Sequence, residues 1–267
     1  MLSVALIATA LAADQSVCRL LLVRHGETSY NREGRIQGRL ESELTKQGHE
    51  QARALGHWLA AVEAGSVDQV FVSPRRRTRQ TLANIETGYS APAATVRAGL
   101  REIELTMWEG QLRSELKDGD GNSDLDRWFQ WKAHPDGFRF AEDGHSPLGD
   151  VSRRAAEEWA ALRTNTPAAS TSMVVAHGAF NRVFLLTALG LPVDDAGFLD
   201  KAGHFHFENC GAVELLWRPG STHAHAWRWR YPTESLWMSR EEELQRWSAE
   251  PGEEGQGAAR GGAKVEL

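Results

Sequence analysis

The chain has 267 residues, of which 41% are apolar and 25% are charged, and its formal net charge is −6. This mixture is typical of a folded globular protein with one large or two small domains. The acidic balance argues against a general nucleic-acid binder, because binding to a phosphate backbone depends on surplus lysine and arginine. The two isolated cysteines, Cys18 and Cys210, argue against a disulfide scaffold or a zinc site, so we expect two reduced, structural thiols.

Residues 1–17 form a mostly apolar N-terminal segment whose role the sequence leaves open. The stretch at residues 2–13 resembles the apolar part of a secretory signal but lacks its positive flank, because the first basic residue is Arg19. It is also too short to span a bilayer. A leader, a mis-set start and a frayed terminus are all compatible with this pattern.

The first half of the chain predicts two buried strands, each followed by a helix. An apolar run at residues 20–23 is typical of a buried strand. Apolar residues at helical spacing over residues 44–62 predict a helix, with Thr45 placed to cap its start. Residues 68–72 predict the next buried strand, and Ser73 is expected to open the helix that follows.

The second half continues the alternation after a turn-rich stretch at residues 117–124. The pattern predicts helices at residues 125–132, 151–163 and 180–189. It predicts strands at residues 173–176 and 212–217, and an edge strand at residues 226–230. Strands alternating with helices favour an α/β fold whose mostly parallel sheet carries helices on both faces.

Two of the predicted strands end in histidines. The first ends in Arg24-His25-Gly26, and the later one ends in His177-Gly178. Ligands of open α/β sheets bind at the carboxyl ends of strands, so both imidazoles can meet over one pocket. The glycine after His25 is expected to let a substrate approach the backbone closely. Two histidines with several arginines and no cysteine ligand favour phosphate chemistry.

Five sequence blocks, in order, resemble those of the histidine phosphatase (phosphoglycerate mutase-like) superfamily. They are the Arg-His-Gly signature at residues 24–26, the stretch at 27–52, the Ser-Pro-Arg block at 73–81, the block at 100–110 and the His-Gly pair at 177–178. The resemblance extends to about residue 217 and then fades. It implies a three-layer α/β/α sandwich with a mostly parallel central sheet, in agreement with the alternating elements.

The resemblance also implies a domain organisation and an activity. We expect a histidine phosphatase catalytic domain over residues 18–232 and a polar, disordered tail over residues 233–267. The implied activity is hydrolysis of a small phosphorylated metabolite, a sugar phosphate or sugar-acid phosphate, through a phosphohistidine. No metal or other cofactor is expected, because arginines and histidines supply the charge. We expect a small-molecule phosphate ester as partner, no nucleic-acid or membrane partner, and a cytoplasmic or plastid location.

The resemblance assigns the catalytic roles residue by residue. His25 is the implied nucleophile, and Arg24 beside it favours the neutral imidazole while also binding phosphoryl oxygens. Arg77 and His177 are expected to complete the clamp on the charged oxygens of the transferring group. Glu102 matches the general acid and base, and the nearby phosphate is expected to raise the pKa of its carboxyl.

Further residues are expected to bind substrate. Asn31 matches a position that contacts the phosphoryl group or its ester oxygen. Arg35 and Gln37 are candidates for the pocket, but the sequence is equally compatible with both being surface-loop residues. Gly38 and Gly178 complete the predicted substrate-binding set.

Near Glu102 the sequence leaves alternatives open. Glu104 could share its strand face, and Glu109 lies nearby, so the assignment of the acid to Glu102 depends on the family motif. Thr106 stands where the family often has glycine, which predicts a loop that is bent differently.

Three clusters have both a structural and a functional interpretation. The arginine run at residues 75–79 could be a nucleic-acid patch, but charge runs usually face water and only Arg77 matches the family block. The alternating histidines within residues 204–206 and 223–225 could hold a metal, but no carboxylate or cysteine set completes a four-ligand site. The tryptophans within residues 227–229 favour one packed and one wet strand face over a base-stacking platform.

A closer resemblance concerns the plant and algal 2-carboxyarabinitol-1-phosphatase-like branch. It is carried by residues 128–131, 134–138, 143–147 and 207–211. The branch implies a sugar-acid phosphate as substrate, with Arg153 and His145 either contacting its organic part or packing a lid. A phosphoglycerate mutase-type phosphotransferase is an alternative, although the residues after Leu100 do not resemble the mutase block. A catalytically silent phospho-ligand binding module is another alternative. The sequence argues against it, because every expected catalytic position is filled.

Overall fold

The computed structural model describes residues 14, 16–62, 67–116, 123–199, 204–232, 238–240 and 245. Most of the predicted N-terminal segment and most of the predicted tail therefore lie outside the described residues. The same holds for the turn-rich connection at residues 117–122.

Strands and helices alternate along the described chain. The strands are β1 (Cys18–Arg24), β2 (Gln69–Val72), β3 (Thr95–Val96), β4 (Thr171–Ala176), β5 (Ala212–Trp217), β6 (Ala226–Tyr231) and β7 (Met238–Ser239). The α-helices are α1 (Ser29–Glu33), α2 (Lys46–Val62), α3 (Arg76–Ile85), α4 (Ser123–Ala133), α5 (Pro147–Asn165), α6 (Gly178–Leu189) and α7 (Asp195–Leu199). Short 3-10 helices lie at Ala98–Leu100 and Thr106–Trp108.

The strands form one sheet in the order β3-β2-β4-β1-β5-β6-β7. The pairs β3–β2, β2–β4 and β4–β1 are parallel, whereas β5, β6 and β7 add by antiparallel pairing. The prediction that β6 is an edge strand is wrong, because β7 pairs with its free side. The sheet therefore extends beyond residue 232, where the predicted catalytic domain ends.

The central strands bury side chains on both faces, which explains their uninterrupted apolar runs. On one face Leu20 and Leu22 pack into a core with residues of α5 and α6. On the other face Leu21 and Val23 pack into a second core with residues of α2 and α3. Helices thus cover the sheet on both sides, and the predicted three-layer α/β/α sandwich is confirmed.

Helix starts follow local capping chemistry. The amide of Gly48 donates to the Thr45 hydroxyl at 3.0 Å, as predicted for the start of α2. Ser146 caps α5 in the same way, so this helix begins at Pro147, earlier than predicted. The prediction that Ser73 opens α3 is wrong: the helix starts at Arg76, and the Ser73 hydroxyl contacts His177 instead.

The alternation in β6 separates aromatic from charged side chains, but neither face is wet. Trp227 lies in the core, and Trp229 packs against Phe207. Arg228 and Arg230 both form ion pairs with the buried Glu214, and their side chains are only 18% and 9% exposed. A base-stacking platform is therefore not formed.

Neither a membrane-spanning helix nor a disulfide is found among the described residues. None of the helices described is long and apolar enough to cross a membrane. Cys18 and Cys210 are both buried, free thiols, as predicted. Burial raises the pKa of Cys18, and it raises the pKa of Cys210 to about 12.

Candidate active site

A cavity of about 370 Å³ opens at the carboxyl ends of β1 and β4. All predicted site residues except His177 line it: Arg24, His25, Asn31, Arg35, Gln37, Gly38, Arg77, Glu102 and Gly178. The strand ends thus bring together residues that are far apart in the sequence, as expected for an open α/β sheet.

His25 follows β1 and is 2% exposed. Its Nδ1 lies 2.8 Å from the carbonyl oxygen of Gly26. Because a carbonyl only accepts, Nδ1 carries the ring proton and Nε2 keeps a lone pair. Burial, followed by the charges of Arg77 and Arg24, holds the pKa of His25 well below 6.5. The imidazole is therefore neutral, as a nucleophile must be.

Gly26 does not serve the role expected from the sequence. A Cβ at this position would lie 2.6 Å from the carbonyl oxygen of Gly48, at the start of α2. Gly26 does not line the cavity. The missing side chain lets α2 pack against the strand end, so the glycine positions His25 through packing instead of admitting substrate.

Arg24, the last residue of β1, lines the cavity and carries one buried, unsatisfied donor. Its Nη1 donates to the carbonyl of Phe207 at 2.6 Å. Its Nε is buried and has no hydrogen-bond partner among the described residues. Burial lowers the pKa of Arg24 to about 10, with Glu102 opposing the shift, so the side chain stays charged at neutral pH. A buried N–H of a cation is suited to a phosphoryl oxygen.

Arg77 is fully buried on the first turn of α3. Its Nη1 and Nη2 donate to the carbonyls of Leu40 and Gly38, each at 3.0 Å. Each terminal nitrogen keeps a second N–H for a ligand. Gly38 has φ 48°, and a Cβ there would lie 2.1 Å from Oε1 of Glu109, so only glycine fits this turn. Burial lowers the pKa of Arg77 to about 10.

His177 lies behind the cavity wall, which differs from the predicted direct clamp on phosphoryl oxygens. Its Nδ1 accepts from Nε of Arg77 at 3.2 Å, so its Nε2 carries the proton and donates to the Ser73 hydroxyl at 2.8 Å. Both ring nitrogens are thus bound to protein groups. The ring packs edge-on against His25, with centroids 5.4 Å apart. In this arrangement His177 orients Arg77, Arg77 sets the tautomer of His177, and Ser73, which sequence reasoning missed as a site residue, accepts the remaining ring N–H.

Glu102 is the only carboxylate that lines the cavity among the described residues. Its carboxylate accepts from the backbone amides of Phe180 at 3.0 Å and Ala179 at 3.4 Å. These amides belong to the first turn of α6, directly after His177, so the carboxylate sits at the helix N-terminus beside the arginines.

The two competing carboxylates point elsewhere. Glu104 lies 3.9 Å from Nε of Arg101 and does not line the cavity. Glu109 accepts from the backbone amides of Leu105 and Arg39, which ties two loops together. Thr106 adopts φ 40°, the left-handed conformation that glycine favours, so this loop carries backbone strain at its threonine.

Asn31 is held by a network next to His25. Its Oδ1 accepts from the Thr28 amide at 3.3 Å and from Nδ2 of Asn209 at 3.2 Å, which leaves Nδ2 of Asn31 to face a ligand. Gln37 donates to the Thr28 hydroxyl at 2.8 Å. Asn209, missed in the sequence, also donates to the carbonyl of His25 at 3.0 Å and so holds the backbone of His25.

Arg35 lies at the rim of the cavity. Its Nε forms an ion pair with Glu33 at 2.7 Å, and its Nη1 donates to the carbonyl of Gly110 at 2.8 Å. The hydrogen bond and charge of Glu33 raise the pKa of Arg35.

Sequence reasoning missed a basic and an aromatic wall of this cavity. The basic side chains are those of Arg113, Lys132, Arg182 and His206, and the aromatic ones are those of Trp128, Trp131, Phe198 and Phe207. Burial, then the charges of Arg113 and Arg182, lower the pKa of Lys132, which places the three cations within electrostatic reach of one another. Helical spacing of Trp128, Trp131 and Lys132 along α4 is the signal from which part of this wall could be predicted.

The sequence profile of the histidine phosphatase superfamily (branch 1) matches residues 20–230. The chain belongs to this superfamily. It is 36% identical over 210 residues to a "Probable 2-carboxy-D-arabinitol-1-phosphatase" of Arabidopsis thaliana, covering 77% of this chain and 40% of that protein. It is 30% identical over 223 residues to a glucosyl-3-phosphoglycerate phosphatase of Mycolicibacterium vanbaalenii, covering 76% of this chain and 92% of that protein.

Solved structures agree with this assignment. A phosphoserine phosphatase of Entamoeba histolytica, in complex with 3-phosphoglyceric acid, superposes with a TM-score of 0.60 at 25% identity and covers 83% of this chain and 97% of that one. The predicted family resemblance and fold class are therefore confirmed. The chain spans about two fifths of the length of its Arabidopsis relative.

Of the described residues in the clusters with two interpretations, only His206 and Arg77 line the cavity. Arg75 and Arg76 form ion pairs with Glu41 and Glu43, while Arg79 is exposed. Among the described residues no group of three or more His, Cys, Asp or Glu side chains could hold a metal ion. The expected absence of metal, nucleic-acid partner and membrane partner stays a prediction.

Neither candidate contact to the organic part of a substrate reaches the cavity. Arg153 is 59% exposed on α5 and forms ion pairs with Asp150 and Glu157. His145 lies 3.3 Å from the carbonyl oxygen of Glu104 and stacks on Phe140.

The two buried histidines make the stability of this protein depend on pH. Burial, with Arg77 next, holds the pKa of both His25 and His177 well below 6.5, so the unfolded chain binds more protons below that pH. The stability they contribute is complete above pH 6.5 and is lost as the pH falls. We expect the unfolding free energy to decrease by about 1.4 kcal/mol per pH unit for each histidine.

Urea unfolding between about pH 6.5 and pH 4.5 measures this slope. His25→Asn and His177→Asn should each reduce the slope by about 1.4 kcal/mol per pH unit, the contribution of one bound proton. A slope identical in wild type and in both variants would contradict the assignment of two neutral, buried imidazoles.

Proposed function

We propose that this protein hydrolyses phosphate monoesters of small metabolites through a phosphohistidine at His25. The observation that carries the proposal is the state of His25. Its Nδ1–H is fixed on the Gly26 carbonyl, and its neutral Nε2 is left on the wall of a cavity that Arg24 and Arg77 also line. Attack on a charged phosphoryl group requires a neutral nucleophile and fixed cations around the phosphoryl oxygens.

The first step forms the phosphoenzyme. Nε2 of His25 attacks phosphorus, and the bond between phosphorus and the ester oxygen breaks. Arg24 and Arg77 stabilise the charge on the non-bridging oxygens as the group transfers. The leaving oxygen takes a proton from Glu102, the only carboxyl group described on the cavity wall.

The second step releases phosphate. Glu102, now a carboxylate, takes a proton from a water molecule that attacks the phosphohistidine. The phosphorus–nitrogen bond breaks, inorganic phosphate leaves, and His25 returns to its neutral form. Splitting one slow displacement into two easier ones is the gain from covalent catalysis.

The basic wall of the cavity supports an acidic sugar phosphate as substrate. A volume of about 370 Å³ suits a small metabolite. Arg113 and Lys132 line the cavity. Burial lowers the pKa of Arg113 against the opposing charge of Glu102, and the charges that act on Lys132 are the positive ones of Arg113 and Arg182. A second anionic group, such as a carboxylate, would neutralise them. The sugar-acid phosphate named for the plant relative fits this requirement. If the substrate is a sugar-acid phosphate, a plastid location is part of the proposal. If it is another ester, a cytoplasmic location is proposed.

Phosphate release from a panel of esters, with chelator present, tests the proposal. The panel contains sugar phosphates, sugar-acid phosphates, phosphoglycerates and phosphoserine. Metal-independent release with a preference for esters that carry a carboxylate would support it. Isomerisation of phosphoglycerate that requires a bisphosphate primer would favour a mutase, and tight binding without turnover would favour a silent binding module.

The basic wall gives a separate expectation for substrate selectivity. In Arg113→Met and Lys132→Met, we expect KM for sugar-acid phosphates to rise about 10- to 100-fold, because each variant removes a charge-assisted contact. KM for sugar phosphates that lack a carboxylate should change less than about threefold. Arg79→Met, which removes an exposed arginine outside the cavity, is the matched control. Equal effects on KM for esters with and without a carboxylate would contradict a carboxylate subsite.

A further inference from the structure

We infer that Arg154 is a positioning residue that sets the placement of the Glu102 carboxyl group. Arg154 lies on α5, with only 3% of its surface exposed. It does not line the cavity. The inference rests on the proposed function, because it concerns the group assigned there as general acid and base.

The guanidinium of Arg154 binds the backbone that carries Glu102. Its Nη1 donates to the carbonyls of Gly99 at 2.9 Å and Arg101 at 2.6 Å. Its Nη2 donates to the carbonyl of Glu102 itself at 3.1 Å. One side chain thus satisfies three carbonyls within a single short segment.

This segment has little regular structure to hold it in place. After the 3-10 helix at Ala98–Leu100, residues 101–105 belong to no helix or strand. Buried backbone carbonyls need donors, and where no ladder supplies them a side chain must. The position of the Glu102 backbone therefore depends on Arg154.

The guanidinium is itself fixed from two sides. Its Nε donates to Oδ2 of Asp150 at 2.8 Å, one helical turn earlier on α5. It also lies over the ring of Phe180, 6.0 Å from the centroid. The amide of Phe180 donates to the Glu102 carboxylate. The backbone and the carboxylate of Glu102 are therefore held between α5 and α6, on the wall of the cavity that His25 also lines.

The neighbouring arginines provide controls with different contacts. Arg153, adjacent in sequence, is 59% exposed and pairs only with Asp150 and Glu157. Arg97 pairs with Glu158 at 2.6 Å and precedes the same segment, but it makes no contact with Glu102. Arg97→Met therefore perturbs the segment's surroundings without releasing the Glu102 carbonyl.

Leaving-group dependence separates positioning of the acid from a general loss of structure. An alkyl phosphate needs a proton on its leaving oxygen, whereas p-nitrophenyl phosphate releases an anion that is stable without one. In Arg154→Met, we expect the rate of phosphoenzyme formation, measured as pre-steady-state release of the leaving group, to fall about 10- to 100-fold on an alkyl sugar phosphate and less than about threefold on p-nitrophenyl phosphate. Arg97→Met and Arg153→Met should leave the ratio of these two rates unchanged.

A second variant covers the case in which Arg154→Met does not fold. Arg154→Lys keeps the charge next to Asp150 but cannot reach three carbonyls with one planar group, so it should show the same selective loss. Equal losses in the rate of phosphoenzyme formation on both esters in these Arg154 variants, with wild type active, would overturn the inference alone. No hydrolysis of either ester by wild type would overturn the proposed function, and the inference with it.

Discussion

His25→Ala is expected to lower kcat by about 10⁴-fold or more on every phosphate ester that the wild-type protein hydrolyses. The imidazole supplies the atom that bonds to phosphorus, and alanine offers none. No other nucleophile takes its place, because the ring of His177 has both nitrogens bound, to Arg77 and to the Ser73 hydroxyl. Steady-state phosphate release measures the loss, and circular dichroism verifies that the variant is folded.

His145→Ala is the matched control for this variant. His145 is a histidine near the Glu102 segment that does not line the cavity. It should keep wild-type kcat within about threefold. Activity of folded His25→Ala within tenfold of wild type would contradict the assignment of the nucleophile.

Glu102→Gln is expected to have the second-largest effect, and one that depends on the leaving group. Glutamine keeps the shape of the side chain but cannot transfer a proton. On an alkyl sugar phosphate we expect kcat to fall about 10²- to 10⁴-fold, the usual range for loss of a general acid. On p-nitrophenyl phosphate the first step needs no proton, so formation of the phosphoenzyme should slow far less. Pre-steady-state release of nitrophenolate measures that step directly.

Glu104→Gln tests whether the effect belongs to Glu102. The two carboxylates are two residues apart, but Glu104 lies beside Arg101 and outside the cavity. Its substitution should leave both esters within about threefold of wild type. A selective loss on alkyl esters in Glu104→Gln, with none in Glu102→Gln, would move the acid to Glu104.

Much of the fold can be predicted from the sequence because its signals are local. The runs that become β1 and β4 are apolar on both faces, which only a buried strand explains. Thr45 caps α2 as its position predicts. The limits of α3 and α5 cannot be placed in the same way, because the side chain of Ser73 binds His177, remote in sequence, and Ser146 caps a turn that the apolar pattern does not mark.

The reacting part of the candidate site is also predictable, because strand ends meet at one edge of the sheet. His25, Arg24, Arg77 and Glu102 line one cavity, as expected. The tautomer of His177 depends on Arg77, which is remote in sequence, and no local pattern reveals that.

Several other roles arise only from three-dimensional packing. Gly26 is required by the approach of Gly48, a helix–strand contact. Arg153 and Arg154 are identical in type and adjacent in sequence, yet one faces solvent and the other binds the Glu102 segment. Sequence reasoning selected Arg153, because periodicity within α5 does not reveal which face meets residues 99–102.

Trapping the phosphoenzyme tests the central claim most directly. Wild-type protein is mixed with its preferred ester for milliseconds, denatured in alkali, digested and analysed by mass spectrometry. We expect a phosphate on the peptide that contains His25, stable in alkali and released by acid, as a phosphorus–nitrogen bond requires, and absent from His25→Ala. Turnover at full rate with no phosphate on His25, or with phosphate on another residue, would contradict the account.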